Sequence, residues 1–309
     1  MSCEHHDALW RGFPKTLPEF ETRFPDEETC RVYWMELRWN GRPSCAMCNS
    51  QRVWRLAERS RIECADCSHQ TSITSGTLLH GTRKPLKLWF RAVLEMSVRR
   101  NGVSAKDLQR ILGFGSYETA WTWLHKIRRG LLREDRHPLD AIIQLDEGFI
   151  GPKHLKDVVF VGAEVGGRIR MAQAPNNDAE TMKKFVDREI AATASITSDG
   201  LATYNTKVLG ERAHEMVVQT KEERKEYDAL QVCHWATSLL KRWLLGTHHG
   251  AVRSKHLQAY LDEHGFRWNR RGTKGVARIA ARALEGLVSG KPMTMRQLVD
   301  NTVPCRMFT

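Results

Sequence analysis

Apolar residues recur at helical intervals through residues 86–99, LKLWFRAVLEMSVR, and again after Asn101-Gly102 from Ala105 to Leu112. Ser104 is placed to cap the second stretch, with Asp107 three residues on, and Gly113 to end it. Phe114 to Tyr117 then makes a short turn into a third helix, Glu118 to Leu132, which is rich in Lys126, Arg128 and Arg129 and is followed by Arg133. Helices joined by so short a turn predict a helix-turn-helix with a basic second helix, a plain helical bundle being the alternative.

From Ala141 the period shortens to that of strands. AIIQLDEGFIG, DVVFVGAEV and RIRMAQAP are followed by a helix from Ala179 to about Ile190 and by a further strand, SITSDG. Three strands, a helix and a fourth strand lying beside the first predict an α/β domain of the RNase H-like class. In that topology Asp146, inside the first strand, and Asp199, at the end of the fourth, meet at one edge of the sheet. A carboxylate among Ile142, Ile143 and Leu145 is costly to bury without a cation, so divalent metal is the expected partner. Asp199-Gly200 by itself reads equally well as a turn. A final helix is expected from about Ala229 to Leu245, with Val232, Ala236, Leu239, Leu240 and Trp243 as its apolar stripe. His234, Ser238 and Lys241 fall together on another face, although a lone histidine on a helix is more often a satisfied surface residue than a ligand.

The cysteines add a second metal. Cys45-x-x-Cys48 and Cys64-x-x-Cys67 stand fifteen residues apart, two knuckles that together supply a tetrahedral Cys₄ zinc site, with Val53–Leu56 and Arg61–Glu63 as its hairpin strands. Redox pairs are the alternative reading. Cys3, Cys30, Cys233 and Cys305 lack such spacing and read as ordinary thiols.

Charge is unevenly spread. The net +12 comes from residues 1–136, with 23 basic and 16 acidic side chains, and residues 267–309, with 9 and 2; residues 137–266 hold 16 and 18. Two basic arms around a near-neutral middle suit a polyanion-binding protein. No stretch has the roughly 20 apolar residues of a membrane span, and MSCEHHDALWRGF lacks the features of a signal peptide, so a cytoplasmic chain is expected.

Taken in order, these motifs resemble bacterial and archaeal insertion-sequence transposases that carry an N-terminal zinc ribbon and an ISXO-type DDE domain. The matching segments are the two CxxC knuckles, Gln70-Thr71-Ser72, Ser75-Gly76-Thr77, Pro85-Leu86-x-x-Trp89-Phe90, Leu145-Asp146-Glu147-Gly148-Phe149-Ile150-Gly151 and Thr197-Ser198-Asp199-Gly200. They continue through Ser238-Leu239-Leu240-Lys241-Arg242, Gly246-Thr247-His248-His249, Lys255-His256-Leu257 and Phe266-Arg267-Trp268-Asn269-Arg270-Arg271. The resemblance spans about residues 20–298 and implies five parts: an N-terminal helical segment (1–40), a zinc ribbon (41–78), a helix-turn-helix (79–136), an RNase H-like DDE catalytic domain (137–271) and a basic C-terminal segment (272–309).

The resemblance further implies cleavage of element ends and their joining to target DNA by two Mg²⁺ or Mn²⁺ ions, with Asp146, Asp199 and His234 as ligands and Lys241 on a nearby phosphate. It implies binding of terminal inverted repeats and target DNA, with Lys126, Arg128, Arg129, Arg133, Arg242, Arg267, Arg270 and Arg271 on the duplex, and a homodimer or larger assembly that holds both ends. His234 departs from the pattern, since the family has Glu or Asn seven residues before the lysine; an imidazole supplies no negative charge, which points to weaker metal binding or a manganese preference. The rival readings are a DNA-binding copy without catalysis and a junction-type nuclease of the same fold.

Overall fold

Caps written into the sequence start most of the helices in the computed structural model, which describes residues 13–56, 60–132, 136–152, 154–272 and 276–302. Thr16 and Asp26 accept backbone amides at the starts of α1 (Leu17–Arg23) and α2 (Glu27–Trp39). The first sheet follows: β1 (Val53–Leu56), β2 (Arg61–Cys64) and β3 (Gln70–Ser72), antiparallel and in that order. Trp34 Nε1 donates to Ile73 O at 2.9 Å, tying α2 to the end of this sheet. α3 (Leu86–Val98) has no side-chain cap of its own. Glu27 supplies one from α2, accepting the amides of Leu86 at 2.7 Å and Lys87 at 2.9 Å.

α4 (Ala105–Leu112) begins at Ser104 and ends at a left-handed Gly113, as expected from its sequence. α5 (Tyr117–Leu131) begins at Ser116. Trp89 of α3 and Trp123 of α5 stack with centroids 3.6 Å apart.

The second sheet has the order β6-β5-β4-β7-β8, from β4 (Ile142–Ile150), β5 (Asp157–Glu164), β6 (Ile169–Ala174), β7 (Ser195–Ser198) and β8 (His214–Met216). β4, β5 and β6 run antiparallel, whereas β4–β7 and β7–β8 are parallel. α6 (Ala179–Glu189) makes the crossover, capped by Asp178. α7 (Thr206–Leu209) follows β7, and α8 (Lys221–Glu226) opens with a Thr220/Glu223 capping box. α9 (Gln231–His248), a short 3₁₀ turn and α10 (Leu257–Trp268) complete this part.

Strand alternation divides the core between the two sheet faces. Ile143, Leu145 and Phe160 pack with Met182, Phe185 and Val186 of α6, while Val159, Val161 and Ala163 pack with Cys233, Ala236 and Leu240 of α9. α9 starts two residues later and ends three residues beyond the expected 229–245 helix and is not the last; His248 in its final turn meets the Tyr260 ring of α10, with centroids 4.8 Å apart.

The described residues form two compact units, one drawn from 13–132 with 276–302 and the other from 136–272. The sequence reading treats 272–309 as a separate basic segment, yet α11 (Val276–Ser289) and α12 (Met295–Asp300) cluster with the N-terminal unit. Burial explains this: Ala280, Ala281, Ala283, Leu284 and Leu287 are fully enclosed, and Arg282 is paired with Glu285 at 2.6 Å. α5 and α11 cross at Gly130 and Gly286, where a Cβ on Gly130 stands 2.9 Å from the Gly286 carbonyl carbon and one on Gly286 strikes the Gly130 carbonyl.

Gly286→Ala is therefore expected to lower the unfolding midpoint of the first unit, at a cost of about 1–3 kcal/mol from overpacking. Gly265→Ala in α10, where nothing lies within 4 Å of the added carbon, is expected to be neutral or stabilising by about 0.5–1 kcal/mol from helix propensity. Denaturant titrations of the two variants check the contrast.

Candidate metal centres and nucleic-acid surface

The four ribbon cysteines form the one group among the described residues in which three or more His, Cys, Asp or Glu ligand atoms all lie within 4.8 Å of one another. Cys45 and Cys67 Sγ are 3.5 Å apart, as are Cys48 and Cys64. The Met47 and Asp66 amides point at the Cys45 and Cys64 sulfurs at 3.4 Å, the turn geometry that each CxxC imposes. Amides of Cys48 and Met47 draw the Cys45 thiol down to about 6. The His69 amide also favours the Cys67 thiolate, but hydrogen bonding from Cys48 and burial push that thiol up to about 12. Thiolates crowded this closely call for a cation, and a tetrahedral zinc suits four sulfurs at this separation.

In the second sheet, Asp146 and Asp199 each stand one residue past the last β4–β7 pair, Leu145 with Ser198. Asp146 lies on the α9 face of the sheet. Its neighbours on that face, Gln144 and Gly148, meet α9: Gln144 Oε1 accepts the Val232 amide at 2.8 Å, and a Cβ on Gly148 would stand 3.1 Å from Thr237 Cγ2. α9 has no local side-chain cap, so Gln144 of the central strand holds its first turn.

His234, one turn into α9, brings Nε2 to 3.6 Å from Asp146 Oδ2 and gives Nδ1 to Asp228 Oδ2 at 2.7 Å. Lys241 is exposed two turns further along α9. Asp199 Oδ1 accepts the Leu201 amide at 3.1 Å, so the turn that the sequence offers as an alternative is present as well.

Burial, opposed by His234 and reinforced by Glu147 and Asp199, raises the Asp146 carboxyl to about 6. A carboxylate whose charge is this poorly compensated, beside a second carboxylate and an imidazole, suits a divalent cation. Ligands of a two-ion site spread around ions about 3.5–4 Å apart, so they need not close into one tight cluster as the sulfurs do.

Sequence reasoning overlooked two neighbours. Glu147 points to the opposite face, where Tyr204 Oη donates to it and Asn177 Nδ2 lies 3.4 Å away. Asp228 carries only the signal of an acidic residue just ahead of a helix. Glu223 is spent on the cap of α8, and Cys233 is a buried thiol donating to Gln144 O.

The residues expected on DNA are unequally placed. Arg128 is 2% exposed. It sits in the packed interior of the first unit because α5 is sheathed by its neighbours, which removes it from a duplex-facing set. Lys126 is half-buried, with its ammonium shifted down by burial, and Arg129 donates to Asn301 Oδ1 at 3.1 Å. Arg133 lies outside the described residues. Arg242 is exposed. Arg267 is paired with Glu263 at 2.9 Å, while Arg270 and Arg271 lie over the rings of Phe266 and Trp268.

The raised Asp146 carboxyl has a thermodynamic consequence. At about 6 in the folded protein it lies above the ordinary aspartate range, so the folded state binds the proton more tightly. Without divalent metal, the contribution of this carboxyl to native stability is therefore full below about pH 4 and is lost as pH rises through about 6. Asp146→Asn is expected to be more stable than the parent at about pH 7.5 in buffer free of magnesium and manganese, the difference closing near pH 4. Thermal unfolding across that range measures it, and parallel curves would contradict it.

Residues 139–269 match the ISXO2-like transposase domain, and residues 25–70 match the transposase zinc-ribbon domain. No curated protein matches the chain. Among solved structures, a cryo-EM structure of the simian T-cell lymphotropic virus intasome in complex with PP2A regulatory subunit B56 gamma is similar at 14% identity and a TM-score of 0.29. That match covers 52% of this chain and 64% of the other. No helix among the described residues is long and apolar enough to cross a membrane. By its two domains the chain belongs with the insertion-sequence transposases that carry a zinc ribbon ahead of an ISXO2-like transposase domain.

Proposed function

We propose that the protein is a DNA transposase that binds the terminal inverted repeats of its element, cleaves the element ends and joins them to target DNA. The observation that carries this reading is the placement of Asp146 and Asp199 just past the end of the parallel β4–β7 ladder, with His234 Nε2 facing Asp146, inside the segment that matches the transposase domain. The sheet order and the α6 crossover support the RNase H-like reading. The α4–α5 pair supports a helix-turn-helix role for the first unit.

Asp146, Asp199 and His234 would hold two Mg²⁺ or Mn²⁺ ions, which supply activation of the attacking oxygen and stabilisation of the leaving oxygen in an in-line displacement. Lys241, exposed on the face of α9 that carries His234, binds a phosphate beside the scissile one. Arg242, Arg270 and Arg271 grip the backbone of the duplex and set its register without reading bases. Hydrolysis frees the 3′-hydroxyls of the element, and these attack target DNA. Holding both ends for that joining requires at least a homodimer, working on DNA in the cytoplasm. The ribbon contributes end recognition, and its zinc contributes folding free energy only to the native form.

Elemental analysis is expected to give one zinc per chain in the parent, and Cys64→Ser is expected to lose it together with end-specific binding while the 136–272 unit stays folded. Specific end binding by a zinc-free preparation would refute this.

Asp146→Ala and Asp199→Ala are each expected to abolish cleavage and strand transfer on end-bearing DNA while leaving end binding within about twofold, because each removes a ligand from both ions' surroundings. Near-normal strand transfer by either variant would displace the proposed site.

A further inference from the structure

The turn before α9 is built around one carboxylate. Asp228 Oδ1 accepts the Leu230 amide at 3.0 Å, and its backbone carbonyl accepts the Gln231 amide at 3.2 Å. Its chain neighbours are held by Gln219, whose Nε2 donates to Tyr227 O at 2.7 Å and whose Oε1 accepts the Ala229 amide at 2.9 Å. The remaining oxygen, Oδ2, meets His234 Nδ1 at 2.7 Å. The far side of the same ring points Nε2 at Asp146 Oδ2, and 3.6 Å is too long for a hydrogen bond between them.

Each feature has a chemical meaning. An ionised carboxylate only accepts, so the hydrogen in the 2.7 Å contact belongs to Nδ1. The neutral ring then carries its lone pair on Nε2, the atom aimed at Asp146. Both Asp228 oxygens are committed, one to the backbone and one to the ring, so the ring plane is set by the fold of the 219–231 segment and the lone pair arrives already oriented. An imidazole also brings no charge of its own, and Asp146 and Asp199 alone bring two negative charges toward a pair of dications. Asp228, behind the ring, adds a third.

We propose that Asp228 is the positioning residue of His234: it holds the ring in the Nδ1-protonated tautomer with Nε2 turned to the Asp146 edge, and it lends the neutral imidazole the negative charge of a carboxylate. The proposal rests on the reading of His234 as a ligand of the catalytic ions. Partners of this kind fix the tautomer of a ligating histidine and raise its basicity, and their loss costs roughly 10–100-fold in metal affinity or activity.

The full-length, zinc-loaded protein tests it through two readouts that do not depend on turnover. Long-range ¹H–¹⁵N spectra at about pH 7.5, with no magnesium or manganese added, report the tautomer, the His234 signal among the 13 histidines being identified by its loss in His234→Gln. The Nδ1-protonated pattern is expected in the parent. An Nε2-protonated or imidazolium pattern there overturns the proposal.

Manganese binding followed by electron paramagnetic resonance then compares the parent with Asp228→Ala, Asp228→Asn and Asp146→Ala. Asp228→Ala is expected to lose the tautomer preference and to bind manganese 10–100-fold more weakly. Asp228→Asn keeps one acceptor for the turn and so stays folded, as its zinc content and circular dichroism check; it is expected to lose manganese affinity through the missing charge. Strand transfer in both Asp228 variants is expected to fall in kcat with end affinity unchanged. If Asp146→Ala loses manganese and both Asp228 variants match the parent in tautomer and affinity, the positioning role is overturned and the catalytic site stands. If Asp146→Ala binds manganese as the parent does, the underlying site assignment fails instead.

Discussion

The parallel ladder between β4 and β7 is the constraint on which the proposed chemistry depends. Two carboxylates far apart in sequence reach the same level of the sheet because Ile142 to Leu145 pair in register with Ser195 to Ser198, leaving Asp146 and Asp199 next in line on the two strands. A slip of one residue would turn Asp146 from the α9 face to the α6 face and exchange it with Glu147, whose present partners are Tyr204 and Asn177. Register is held by burial on both sides, with Ile143 and Leu145 under α6 and Val159 and Val161 under α9. The apolar core thus sets which carboxylate faces which helix.

The same strand positions the helix that covers it. Gln144, 8% exposed and two residues before Asp146, takes the first amides of α9 as their acceptor. A buried amide paired in this way avoids the cost of an unsatisfied polar group and aligns α9 with the strand. His234 therefore stands opposite Asp146 through one side chain of the strand and one of the preceding turn. The energetic cost is local: Asp146 is charged only against burial and the Glu147 and Asp199 carboxylates. A site that is destabilised when empty is suited to gaining binding energy from a cation.

The first unit solves a different problem. A three-stranded ribbon buries little, so its integrity rests on the four sulfurs and on helices that enclose its edge. Trp34 anchors α2 to the ribbon's end, and α11 returns from the far end of the sequence to pack between the earlier helices through small residues. Close helix approach at Gly130 and Gly286 needs the missing Cβ atoms. It places a basic-looking C-terminal segment inside a DNA-binding candidate unit and takes Arg128 out of solvent.

Local chemistry was enough to read several parts from sequence alone. The CxxC spacing specified the sulfur cluster, because four residues in a knuckle leave little geometric choice. Ser104 and Gly113 bounded α4, because caps act within a turn of themselves. The strand-helix-strand order placed Asp146 and Asp199 together, since the topology expected from it sets the fourth strand beside the first, as the parallel β4–β7 pair does. Tertiary structure alone decided the rest. Nothing local marks Arg128 as buried, α11 as part of the first unit, Gln144 as the cap of α9 or Asp228 as the partner of His234. Each of these depends on which distant backbone or side chain meets a polar group, and only the packed chain supplies that partner.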